Sequence, residues 1–301
     1  MKTIKNESLQ DIKNNTKYIC CAFYLNEDKY YSIQNCLFID CSFRSRVKFH
    51  TIQGYQFTNC GFSNGFVVDL SRYQLTELSK EIKQFQNLTE LYFHNNWLTQ
   101  LPEEIGQLQN LTTLDLHRNR LIQLPKEIGQ LQNLTTLDLY DNRLTQLPKE
   151  IGQLQNLAYL DLSSNDLAEL PKEVTQLKNL TCLGLSSNNL TGLPEGIGQL
   201  KSLTHLWLGN NQLTEIPEKI GQLKNLSEFI LHTNKLTKIP REIGKLQNLT
   251  HLYLQDNPLA KLPQGIEKLQ NLTYLNLKDS LFTENQIAEI RKLLPKCRVD
   301  W

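Results

Sequence analysis

The sequence predicts a single curved α/β solenoid, not the two compact globules that 301 residues would ordinarily suggest. Three observations carry this. Eight of the ten prolines stand at Pro102, Pro125, Pro148, Pro171, Pro194, Pro217, Pro240 and Pro263, a spacing of 23 residues held without slippage. Leucines recur in the same register between them. In each unit a short stretch alternates apolar and polar residues, as a half-buried strand does, and a proline-led polar turn follows.

One unit runs Leu111, Leu114, Leu116, Asn119, Leu121, Leu124, Pro125, Ile128, Gly129 and Leu131, or L-x-x-L-x-L-x-x-N-x-L followed by L-P-x-x-I-G-x-L. Complete copies start at Leu88, Leu111, Leu134, Leu157, Leu180, Leu203, Leu226 and Leu249; another begins at Leu272 and breaks off after Leu277. A degenerate unit with Leu70, Leu75, Leu78, Ile82 and Phe85 precedes them, and Ser79 stands there in place of the proline.

Each position has a physical reason. Alternation turns Leu114 and Leu116 inward and Thr113, Asp115 and His117 outward, so one strand per unit builds a parallel sheet. The asparagines at the ninth position, Asn96 through Asn257, should point inward, where an amide satisfies backbone donors and acceptors freed at the strand end. Proline then presets φ for a short helical or 3-10 segment, and the acid of Pro125-Lys126-Glu127 suits its N-terminus. Twenty-three residues leave room for only a turn or two on the return side, so the sheet should line the concave face.

The repeat, with Leu124 to Leu139 reading Leu-Pro-Lys-Glu-Ile-Gly-Gln-Leu-Gln-Asn-Leu-Thr-Thr-Leu-Asp-Leu, resembles the 23-residue leucine-rich-repeat proteins of bacteria, the leptospiral set most of all. The closing Leu293-Leu294-Pro295-Lys296-Cys297 is similar to their C-terminal caps. The resemblance implies a right-handed horseshoe with a parallel concave sheet and short helical or 3-10 segments on the convex side. It also implies protein recognition, host-directed in pathogens. Many relatives carry a secretion signal; none is visible here, so the expected location is cytoplasmic or secreted by a non-classical route.

Open ends of such a stack need covers. Thr283 with Gln286 forms a capping-box pattern, and Ile287, Ile290, Leu293 and Leu294 follow at helical spacing up to Pro295. At the other end Ile33, Cys36, Phe38, Cys41 and Phe43, and again Ile52, Tyr55, Phe57, Cys60 and Phe62, repeat the pattern in aromatic and sulfur residues at an offset of 19. We therefore expect an irregular N-terminal cap over 1–64, the repeat solenoid over 65–280 and a C-terminal cap helix over 281–301, with a separate small β domain at the front as the alternative.

Composition removes several functions. With 32 basic and 31 acidic residues no global field draws the chain to nucleic acid, and no apolar run is long enough to insert in a membrane. Seven cysteines, an odd number, argue for reduced thiols. Cys36, Cys41 and Cys60, with His50, lack zinc-finger spacing and read as buried thiols standing in for the asparagines. No nucleophile elbow, P-loop or paired-carboxylate site is present, and neither a cofactor nor a metal nor catalysis is expected.

The variable outward strand positions remain, and they hold two aromatic and histidine patches. The C-terminal one combines His205, Trp207, Glu228, Ile230, His232, His251, Tyr253 and Tyr274; the N-terminal one combines Tyr92, His94, Trp97, His117, Tyr140 and Tyr159. Gly184, Ser163 and Ser186 form a bland saddle between them. Such residues dominate interface hot spots, though neighbours also simply stack along a sheet. Asp115, Asp138 and Asp161 make a row of like charges that Arg118, Arg120 and Arg143 should neutralise. His205 and His251 are expected about 9.6 Å apart, too far for a compact metal site with Glu228. The leading reading is a non-catalytic module that binds a partner protein on the concave face. A glycan- or matrix-binding adhesin and a self-associating scaffold are the alternatives.

Overall fold

The structure, a computed structural model, describes residues 1–45, 47–53, 56–58, 60–62 and 65–301, and among these the side chains of all but residues 32, 50–53, 56–58, 61 and 62. Its backbone is a parallel sheet of 13 strands running from Tyr30–Gln34 to Arg298–Asp300. Repeat strands pair in strict register, with Leu114 opposite Leu137 and Leu137 opposite Leu160. Leu111, Leu114, Leu116, Leu121, Ile128 and Leu131 are fully buried, as are their equivalents through the repeats. Each such side chain stabilises the stack by about 1.5–3 kcal/mol, and no single repeat could bury its own set alone.

The inward asparagines do what their chemistry predicts. Asn142 is buried; its Nδ2 donates to the carbonyls of Leu116 and Leu139 at 3.0 and 3.1 Å, and its Oδ1 accepts from the Leu121 N–H at 3.0 Å. The residue just before each asparagine adopts left-handed φ, between 53 and 56° at Asn95, Arg118, Asp141, Ser164, Ser187, Asn210, Thr233 and Asp256, which breaks the strand and aims the amide inward; Asp279 does the same before Ser280. A second ladder was not foreseen. The Asn-Leu-Thr triplets tie repeats together along the flank: Asn133 Nδ2 donates to the Gln109 carbonyl at 2.8 Å and Thr135 Oγ1 to the Thr112 carbonyl at 3.0 Å.

Short 3-10 segments of five residues, such as Lys126–Gln130, form the return side. Proline sits one position earlier than expected. Pro125 is the N-cap, extended at φ −68° and ψ 150°, and its carbonyl accepts the first 3-10 bond from Ile128 N–H. Ser79 takes the same place in the degenerate repeat and caps by accepting from the Glu81 N–H at 3.2 Å. The glycine of this segment has a steric reason: a Cβ on Gly129 would lie 2.6 Å from the Glu150 carbonyl oxygen of the next repeat. Glu267 replaces it in the last complete repeat and Thr175 within the array, where the residue that Thr175 faces is Gly196.

The first 62 residues are more regular than the expected cap. Their strands form two further parallel sheets, ordered Lys2–Lys5, Thr16–Ile19, Leu37–Ile39, Gln56–Thr58 and Ser8–Leu9, Ala22–Phe23, Ser42–Phe43, Gly61–Phe62, while Tyr30–Gln34 and Val47–Gln53 extend the long sheet. Left-handed residues at Asn6, Asn15, Cys20, Asn35 and Asp40 turn the corners. Inside, Tyr18 stacks on Phe38 with centroids 5.0 Å apart and Phe23 on Phe43 at 4.7 Å. Thiols replace the asparagine amides as inward donors, with Cys21 Sγ donating to the Ile4 carbonyl of the preceding coil at 3.6 Å and Cys60 Sγ to that of Phe38 at 3.6 Å. Burial pushes the Cys36 thiol up, and the adjacent Cys60 thiol together with burial does so for Cys41, which keeps them protonated donors. None of the seven cysteines is in a disulfide. Tyr55 and the side chains of His50, Phe57 and Phe62 lie outside the described residues.

At the far end the helix Glu284–Leu293 starts on Thr283 with both halves of the capping box present. Ile287, Ile290 and Leu294 are buried, but Leu293 is 47% exposed. The helix therefore uses a narrower stripe than expected. The chain then adds a strand the sequence did not announce, Arg298–Asp300, paired with Tyr274–Asn276.

Candidate functional site

The outward side chains of the repeat strands form the concave surface. Fixed strand register places positions 23 residues apart beside one another, so His94 meets His117 and His251 lies opposite Tyr274, with Tyr253 on the diagonal. Of the patch residues only Trp97 counts among the exposed large apolar side chains, at 42%; the other aromatics are half-buried against their neighbours.

The C-terminal patch is a connected surface. Trp207 Nε1 donates to Glu228 Oε1 at 2.7 Å, and the His205 ring meets Trp207 edge-on at 6.3 Å. Tyr253 and Tyr274 rings lie 5.3 Å apart, with His251 about equidistant at 6.4 and 6.2 Å. The unannounced last strand completes the surface. Tyr274 Oη donates to Asp300 Oδ2 at 2.9 Å, the Arg298 guanidinium lies 5.7 Å over the Tyr274 ring, and Arg298 grips Asp300 at 2.9 and 3.2 Å. Those bonds hold Asp300 below the usual carboxylate range. His232 occupies the space left by Gly209, where a Cβ would sit 2.5 Å from His232 Nε2; burial there lowers the histidine's proton affinity, with Asp256 opposing.

The N-terminal patch divides. Trp97 lies past the Asn96 turn, outside the strand Glu90–Tyr92, and carries the Arg120 guanidinium 5.1 Å over its ring. Arg118 reaches Asp141 at 3.8 Å. Neither arginine neutralises the aspartate row as expected, because both follow the strand and turn away with the loop. Histidines approach it instead at one end. Asp115 receives His117 Nδ1 at 2.7 Å and His94 Nδ1 at 3.1 Å on its two oxygens, and the two imidazoles stack 4.4 Å apart and 6° from parallel. Ser71 Oγ lies 3.0 Å from His94 Nδ1, and Asp138 Oδ2 lies 3.8 Å from His117 Nδ1.

Burial, then Asp115 and Asp161 on the flanking strands, pushes the Asp138 carboxyl up to about 6, although the Tyr140 N–H and His117 pull it down. Asp161 is buried, accepting from the Ser163 N–H at 2.8 Å and from Tyr159 Oη at 3.3 Å. Gly184 makes that possible, since a Cβ there would lie 2.3 Å from Asp161 Oδ1. Burial, with Asp161 and Glu228 nearby, pushes the Cys182 thiol up to about 12, so it is an inert neutral group in the saddle.

Sequence reasoning did not group His94, Asp115 and His117 as possible ligands, yet their atoms lie within 4.8 Å of one another. The signal was there: two histidines at the seventh position of successive units with an aspartate at the fifth between them. Among the described residues His205, Glu228 and His251 form no such cluster; Glu228 is taken by Trp207.

A long parallel sheet that presents polar and aromatic side chains from every coil defines a repeat-solenoid interaction module. Sequence profiles described as a leucine-rich repeat region and as two-copy leucine-rich repeats match residues 136–229 with 205–296, and 86–128. The chain belongs to the leucine-rich-repeat family and has its horseshoe fold. A leucine-rich-repeat protein of Leptospira interrogans is 32% identical over 85% of this chain and 90% of its own, with a TM-score of 0.56. An internalin of Listeria monocytogenes shares the fold at 17% identity, covering 95% of this chain and 80% of its own with a TM-score of 0.66. The PEPR1–AtPEP1 structure is 25% identical over 94% of this chain, with a TM-score of 0.68, and this chain spans only 44% of it. No curated protein matches. No helix among the described residues is long and apolar enough to cross a membrane.

Proposed function

We propose that the chain is a non-catalytic module that binds a partner protein on its concave face, chiefly through the C-terminal patch. The observation that carries this reading is the run from His205 and Trp207 to Tyr274 and Arg298. Large half-buried aromatics there alternate with the charged groups Glu228, Asp300 and Arg298, the mixture that interface hot spots favour. Adjacent strands about 4.8 Å apart make the face ample for an ordinary interface of about 800 Å² per partner. Relatives in the fold support the reading: the plant peptide hormone receptor RGFR1 was solved in complex with RGF2. Following the resemblance that the repeat sequence carries, we place the partner in a host.

The test is a pull-down from host extracts, followed by direct titration of the recovered protein. A Trp207→Ala/Tyr253→Ala variant that melts like the parent should lose at least about tenfold in affinity. Unchanged affinity would sink the proposal, and loss of capture on adding free glycans would transfer it to a carbohydrate.

A further inference from the structure

We propose that His94, Asp115 and His117 form a binding site for a divalent transition metal of the zinc type on the concave face, with Asp138 beside it. The site lies in the N-terminal patch, apart from the C-terminal surface proposed to hold the partner. Four ligands at about 2.0 Å around a tetrahedral zinc lie about 3.3 Å from one another. The separations here straddle that figure: His117 Nδ1 to Asp115 Oδ1 is 2.7 Å, His94 Nδ1 to Asp115 Oδ2 is 3.1 Å and His117 Nδ1 to Asp138 Oδ2 is 3.8 Å. Adjustment of the three clustered side chains brings them to metal geometry, and a water completes the tetrahedron.

Both imidazoles turn Nδ1 to the same carboxylate. Their parallel stack, 4.4 Å between centroids, opens by rotation of one ring when an ion enters, because a metal lies in the plane of each imidazole that ligates it. The backbone holds the carboxylates as well: Asp115 Oδ1 accepts from the His117 N–H at 3.2 Å and Asp138 Oδ1 from the Tyr140 N–H at 3.0 Å. Arg118 and Arg120, the nearest cations in sequence, are engaged with Asp141 and Trp97. A bound dication would supply the positive charge that Asp115, Asp138 and Asp161 together lack. Two imidazoles and carboxylates suit zinc better than magnesium or calcium, which take oxygen donors. Protons compete with the metal for imidazole nitrogen, so affinity falls as the solution is acidified.

Zinc(II) titrated into the full chain at pH 7.5 against a chromophoric chelator should show one site. His117→Ala and Asp115→Asn should each weaken it at least about tenfold. Cobalt(II) provides a check that does not depend on the variants folding: visible bands of a tetrahedral nitrogen and oxygen site should appear without a near-ultraviolet thiolate band. A chain that leaves all zinc on the chelator, well-folded variants that bind as the parent does, or a thiolate band pointing to the N-terminal cysteines would each overturn the proposal.

Discussion

Asn142 shows how much one side chain does in this stack, since a single buried amide closes three backbone groups from two repeats. Replacing it with alanine leaves the Leu121 N–H without a partner, while the carbonyls of Leu116 and Leu139 keep the amides of Asn119 and Asn165, and we predict a loss of about 1–3 kcal/mol in urea unfolding. Thr233 is the opposite case. It holds φ at 53°, a conformation costly for a β-branched residue, so Thr233→Asn should raise stability by about 0.5–1 kcal/mol. His232 carries a pH signature. Burial lowers its pKa below the unfolded value, so its contribution is intact above about pH 6.5 and is lost as pH falls from there through the folded value. The melting temperature of the parent should therefore drop more between pH 7.5 and 5.5 than that of His232→Gln.

Among the elements, the 3-10 segments reveal a compensated pair. Every regular repeat needs glycine where the next repeat's backbone approaches; Thr175 breaks that rule, and Gly196 removes the Cβ that would face it, which would lie 3.0 Å from Thr175 Oγ1. Gly196→Ala should destabilise the parent by about 1 kcal/mol yet stabilise a Thr175→Gly background, where only the ordinary preference for alanine remains. A double-mutant cycle with no coupling would contradict this. At the C-terminal cap, Thr283→Ala removes the side-chain half of the capping box and leaves Gln286 on the backbone N–H; it should cost about 1 kcal/mol, read by thermal unfolding.

At the scale of the whole molecule, what the sequence revealed follows from periodicity. A strict spacing makes each leucine, each ladder asparagine and each outward residue predictable from one unit, so the solenoid and the neighbours on its concave face were legible. The front was not, because its inward set of Thr16 and Tyr18, Cys21 and Phe23, Cys36 and Phe38, Cys41 and Phe43 repeats every five residues in runs broken by left-handed corners. The strand Arg298–Asp300 was hidden by its polar composition, only Val299 being buried. Pairing of Asp115 with two histidines rather than arginines depended on where the turn sends Arg118 and Arg120, which spacing alone does not encode.

The central claim is that partner choice resides on the concave sheet. Its most direct test places a photo-reactive amino acid at Ile230 on that sheet or at Gln222, exposed on the convex 3-10 segment, and exposes each chain to its partner under light. Recognition by the concave face predicts a covalent adduct from position 230 that free unlabelled chain competes away, and none from position 222. Adducts from position 222 alone would contradict it.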